Sequence, residues 1–195
     1  MAEDRSPDIA VKPLIGGRWG DLETLFGANG ACAGCWCMWW RQTRREYEHC
    51  KGKRNRRTFR SIVRAGPPPG LIAYVADEPA GWCQVCPRAD LPGLDRSRFL
   101  HPVDDVPVWS ISCLFIHRRH RRKGLTATLI EAARDHATAA GAAAVEAYPW
   151  ETNEKKAAST VYTGLSSTYH RLGFVEAARR APHRPIMRYA ANRSA

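Results

Sequence analysis

Between residues 108 and 141 the chain changes its apolar period once, and that change constrains the fold more than any other feature. Val108 to Ile116 is an almost unbroken apolar run of strand length. Leu125 to Ala140 instead carries Leu125, Leu129, Ala133 and Ala137 at four-residue spacing, with Thr128, Glu131, Arg134, Asp135 and Thr138 on the other faces. That is one apolar stripe on a helix, and Gly141 is placed to stop it. A buried strand feeding directly into an amphipathic helix predicts a helix layered on a sheet.

The junction itself reads Ile116-His117-Arg118-Arg119-His120-Arg121-Arg122-Lys123-Gly124-Leu125-Thr126. The first turn of a helix has unpaired N–H groups and a partial positive charge, which suits a phosphate. Gly124 has no Cβ to hold the backbone away, Thr126 is small, and five Arg and Lys side chains add positive potential. Charge alone would favour a solvated basic loop. Neither the Walker pattern nor Gly-x-Gly-x-x-Gly is present.

Strands and helices alternate on both sides of this unit. Asp8 to Ile15 reads as a strand, Arg18 to Phe26 as a short helix, and Arg41 to Arg64 as a basic segment with a helical apolar side. Gly66-Pro67-Pro68-Pro69-Gly70 ends that segment. Leu71 to Ala76 and Gly81 to Cys86 read as a hairpin, followed by a proline-rich loop carrying Asp104 and Asp105. Ala142 to Tyr148 is a strand. A polar insertion, a helix around Leu165 to Leu172, and strands near Val175 to Arg179 and Pro185 to Tyr189 complete the chain. At 195 residues, 44% of them hydrophobic, a single domain over 1–195 is expected, with an N-terminal part (8–70) and a core (71–190).

Two patterns together resemble a known superfamily. Ile116-x-x-x-x-Arg121-x-x-Gly124-Leu125-Thr126 resembles the acyl-CoA-binding motif of the GCN5-related N-acetyltransferases (GNAT), Gln/Arg-x-x-Gly-x-Gly/Ala. Downstream, Tyr169-His170-Arg171-Leu172-Gly173-Phe174 is similar to the superfamily's Tyr-x-x-x-Gly-Phe signature. Arg122 stands where the motif usually has Gly, and Tyr162 where the second signature usually opens with Asn.

The resemblance implies a mixed α/β fold, its mostly antiparallel sheet splayed in the middle with helices on both faces. It implies acetyl-CoA as co-substrate, no metal, and direct attack by an amine within a ternary complex. Leu114, Phe115 and Ile116 would pair with the pantetheine arm. Arg121, Arg122, Lys123, Gly124, Leu125 and Thr126 would hold the pyrophosphate. Tyr169 would be the acid and Glu146 the base, with Asp104 and Asp105 as rivals. The acceptor would be a small-molecule amine or a peptide or protein amine, and dimers are frequent in the superfamily.

Other readings compete. The net charge of +11 predicts anionic partners. Arg41 to Arg64, interleaved with Tyr47 and Phe59 and adjoining Trp36, Trp39 and Trp40, would also suit a nucleic-acid-associated protein. Cys32 and Cys35 (with Cys37) plus Cys83 and Cys86 would suit a zinc-stabilised interaction module, although Cys83 and Cys86 lie in a strand-like run. Seven cysteines, no apolar spanning segment and an acidic N-terminus without an apolar leader predict a cytoplasmic chain with reduced thiols and no membrane partner. The Trp cluster is either core or the wall of an acceptor pocket.

Overall fold

A computed structural model describes residues 8–154 and 156–191. Its strands are β1 (Ile9–Pro13), β2 (Gly70–Val75), β3 (Glu78–Pro87), β4 (Val108–Ile116), β5 (Ala144–Ala147), β6 (Val175–Arg179) and β7 (Pro185–Ala190). They form one open sheet in the order β1-β2-β3-β4-β5-β7-β6. Every pairing is antiparallel except β4 with β5. The helices are α1 (Trp19–Phe26), α2 (Arg44–Cys50), α3 (Lys53–Ala65), α4 (Pro92–Asp95), α5 (Leu125–Ala139) and α6 (Ser166–Arg171). No helix among the described residues is long and apolar enough to cross a membrane.

The two-residue period of β2 shows why both faces are covered. Leu71 and Ala73 face a core shared with Leu125, Leu129, Ala133 and Ala137, the stripe of α5. Ile72 and Tyr74 face the opposite core, where Trp19, Leu22 and Phe26 of α1 meet Phe59 and Val63 of α3. The mixed α/β architecture with helices on both faces is therefore as the sequence predicts.

The basic segment is two helices rather than one. Thr43 caps α2 through a reciprocal capping box with Glu46, and the chain breaks at Gly52, whose φ is +79°. A Cβ on the adjacent Gly34 would lie 2.5 Å from the Gly52 nitrogen, so the two loops touch backbone to backbone. Trp36 is fully buried between Trp19 and Phe26, whereas Trp39 and Trp40 remain half-buried. The tryptophan cluster is thus divided between core and surface. Two exposed cations of this region contact α1: Arg56 pairs with Glu23 at 2.5 Å, and Arg60 lies over Trp19.

The splay arises where β4 outlasts β5. Their pairing runs from Val108 opposite Ala144 to Ile111 opposite Ala147, and then Pro149 carries the chain away. Cys113 to Ile116 keep β3 on one edge and lose their strand neighbour on the other.

Candidate active site

The cleft opened by that divergence is a cavity of about 660 Å³, the size of a small-molecule site. Leu114, Phe115 and Ile116 form one wall, and the segment from Ala158 to Leu165 forms another. Its far end is a chamber between Cys35, Cys37, Trp39, Trp40, Tyr47 and Cys113. A smaller hollow of about 180 Å³ adjoins it through Ile116, Thr126 and Thr168, and runs over Gly124 to the side chains of Arg122 and Arg171.

The smaller hollow is the start of α5. Gly124 has φ +80° and Arg122 φ +64°, so the loop makes two left-handed residues before the helix. Such a turn aims successive amides at one point. The amides of Ala127 and Thr128 turn back onto the Gly124 carbonyl. Those of Gly124, Leu125 and Thr126 have no acceptor among the described residues. A Cβ at Gly124 would meet nothing within 4 Å, so the space in front of the loop is open. The positive φ at Arg122 also explains why glycine is usual at that motif position.

A family model described as "Acetyltransferase (GNAT) family" matches residues 34–162. The chain belongs to that family. GNAT structures share its fold. A GNAT-family acetyltransferase from Listeria monocytogenes 4b F2365 is 10% identical, with 93% of this chain and 94% of that chain covered at a TM-score of 0.57. PaiA N-acetyltransferase from Thermoplasma acidophilum, solved with coenzyme A, is 12% identical over 94% and 99% at 0.53. Arylalkylamine N-acetyltransferase 2 from Aedes aegypti is 16% identical over 95% and 100% at 0.52. No curated protein sequence matches the chain. As a GNAT member, the protein is an acyl-CoA-dependent N-acyltransferase in its general class.

Within this GNAT site the motif residues fall together, but the two expected catalytic side chains do not face the cavity. Tyr169 is fully buried, and its hydroxyl donates to the Thr163 carbonyl at 3.2 Å. Gly164 lies across it: a Cβ there would come within 2.9 Å of the tyrosine ring. Beside it in the chain, Tyr162 does line the cavity, and its carbonyl accepts from the Leu114 amide at 2.6 Å. Residues 160–165 therefore form a strap along the open edge of β4. It is tied to the end of β5 by Trp150 N–H donating to Gly164 and Ser166 N–H donating to Trp150, both at 2.9 Å. Burial pushes the Tyr162 hydroxyl up, so it is a neutral phenol at any physiological pH.

Glu146 lies on β5, below the splay and outside the cavity lining. It is buried, and Arg188 donates to one of its oxygens at 2.7 and 3.1 Å. The other faces Tyr148 Oη at 3.2 Å and Arg88 at 3.5 Å. Both of its oxygens are thus taken up by groups of the fold, away from the cavity. Asp104 is the second partner of Arg188, at 2.6 and 3.0 Å, which holds its carboxyl below the usual range. Asp105 is exposed on the same loop. None of the three carboxylates that the sequence offered as bases reaches the chamber.

The cysteines are also divided. Cys83 is buried in the α5-side core, and Cys86 accepts from Arg41 at 3.3 Å. Cys32, Cys35, Cys37 and Cys113 line the cavity instead, so the two sequence pairs are not brought together. Among the described residues no group of three His, Cys, Asp or Glu has metal-holding geometry. Sequence reasoning missed Gln84, Cys113, Tyr47 and Tyr162 as cavity residues. The one signal available for Tyr162 was its departure from the usual Asn.

Proposed function

We propose that the protein transfers an acyl group from acetyl-CoA to an amine in a ternary complex. The observation that carries this reading is the row of free amides at Gly124, Leu125 and Thr126, facing open space beside a cavity walled by Leu114, Phe115 and Ile116 of β4. The amides suit a diphosphate, with Arg122 and Arg171 supplying charge at the rim. The Ile116 N–H and Leu114 C=O of that strand suit an extended pantetheine arm, which would take the place of a missing strand. Bound acetyl-CoA supplies the activated thioester. The chamber beyond Cys113 holds the acceptor, so the reacting atoms are confined side by side. Tyr162 stands at the meeting point as the proton donor to the departing thiolate, while Tyr169 positions the strap.

Titration calorimetry with acetyl-CoA tests this directly, with micromolar binding expected. No heat with acetyl-CoA or longer acyl-CoAs would overturn it. Gly124→Ala should weaken acetyl-CoA about five- to tenfold, matching about 1 kcal/mol of left-handed strain. The free loop can relax that strain, and binding must restore it. Unchanged affinity would remove the loop from the diphosphate site.

Against a nucleic-acid role, Phe59 and Trp36 of the basic and aromatic segment are buried in the core and present no ring for a base to stack on. A cytoplasmic location goes with the acyltransferase proposal.

A further inference from the structure

The acceptor chamber has an unusual chemistry for an enzyme that must use an uncharged amine. Its walls are thiols and aromatic rings: Cys35, Cys37 and Cys113 against Trp39, Trp40 and Tyr47. Among the described residues no carboxylate and no imidazole lines the cavity, and the one charged lining residue among them is Arg121, at the diphosphate end. Gln84, the amide at its floor, is uncharged and held in place: it donates to the Cys37 carbonyl at 3.1 Å and accepts from Ser112 at 3.0 Å.

The aromatic walls do not offer a seat for a cation either. Arg44 already stacks on the Trp39 ring at 4.8 Å, and Lys51 on Tyr47 at 5.4 Å. Glu48, the nearest acid on that helix, is exposed and bridged to both of those cations at 3.2 and 2.6 Å. On the strap side, Arg184 lies over the Trp150 ring at 4.9 Å. Burial raises the Cys35 and Cys37 thiols and pushes Tyr47 to about 12, so these three wall groups stay neutral across physiological pH. An ammonium ion entering this chamber would lose its hydration with no countercharge, in a field already positive.

We propose that the acceptor is an aromatic amine, a flat apolar molecule whose nitrogen is uncharged before it binds. This rests on the acyltransferase reading and narrows its substrate class. An arylamine is a far weaker base than an alkylamine, so at neutral pH it needs no general base to prepare it. Its lone pair forms the C–N bond as the thioester C–S bond breaks. The sulfur leaves with that electron pair, and the surplus proton on nitrogen passes through Tyr162 to give free CoA thiol and a neutral amide. The rings of Trp39, Trp40 and Tyr47, set edge to face, would receive the aryl ring.

The test compares p-toluidine with benzylamine, nearly the same shape but of opposite charge state at neutral pH, following thiol release from acetyl-CoA. p-Toluidine should show a kcat/KM at least about tenfold higher at neutral pH, flat through the neutral range. Benzylamine should rise about tenfold per pH unit with its neutral fraction. A preference for benzylamine, or no product from p-toluidine while acetyl-CoA binds, would overturn the inference. Quenching of tryptophan fluorescence by each amine without acyl-CoA separates the two claims. p-Toluidine binding alone with benzylamine excluded supports the chamber chemistry even if acetyl-CoA fails to bind. Cys35→Asp, which supplies the missing countercharge, should shift the ratio toward benzylamine by about tenfold. An unchanged ratio in a folded variant that still binds acetyl-CoA would also overturn it.

Discussion

Glu146→Gln is expected to lower stability by about 3 kcal/mol while leaving the pH dependence of turnover unchanged. The carboxylate sits 1% exposed between Arg188 and Arg88, with Tyr148 against its second oxygen. Around it, Arg88 donates to the Leu100 carbonyl at 2.7 Å and to Tyr148 Oη at 2.8 Å, and Ser110 meets the same phenol at 2.7 Å. Removing the charge leaves two largely buried guanidiniums with less compensation, which is where large losses come from. Each keeps one further carboxylate, Asp95 for Arg88 and Asp104 for Arg188, so the loss belongs at the low end of the range for a broken buried pair. For a chain of this length that corresponds to roughly 6 to 12 °C in Tm. Thermal denaturation and a pH–rate profile, recorded well below the new Tm, read the two effects separately. A turnover loss of about 10²-fold with the ascending pH limb abolished would return Glu146 to the role of base.

That ion-pair network also shows where the sequence was readable. The stripe Leu125-Leu129-Ala133-Ala137 lies on the core because its spacing matches the helical turn, and Gly124 opens that helix in a left-handed conformation. These are local signals, set by periodicity and by backbone sterics, and they carry the fold and the cofactor loop. The chamber is different. Cys35, Trp40 and Tyr47 have no periodicity, and they meet only because long-range hydrogen bonds fold the turns of 31–43 onto the sheet. The Gly52 amide donates to Gly34, the Gly93 amide to Trp40, and Trp82 Nε1 to Cys37 Sγ. Similarly, the two-arginine clamp on Glu146 depends on residues 58 and 42 positions away in sequence. A glutamate on a strand beside a motif reads as a base until the register of β5 against β7 places Arg188 opposite it.

Tyr162→Phe is expected to lower kcat by roughly 10²-fold with acetyl-CoA affinity unchanged, and Tyr169→Phe is expected to do the reverse of what the signature implies. The second phenol is buried beneath Gly164, and its hydroxyl is committed to the Thr163 carbonyl. Its loss should cost about 1 kcal/mol of stability and loosen the strap, changing KM for acyl-CoA more than kcat. Tyr162 alone of the two reaches the cavity, close to Cys113 and Cys35, and burial keeps it protonated and able to give a proton to a thiolate. The strap makes the comparison sharp, because the same short segment presents one tyrosine's ring to the cavity and seals the other beneath it. Single-turnover rates separate proton donation from strap movement. If Tyr169→Phe abolishes the chemical step in a folded protein and Tyr162→Phe does not, the strap must lift when acyl-CoA binds. The Leu114 amide and the Tyr169 hydroxyl would then be released together to face the thioester.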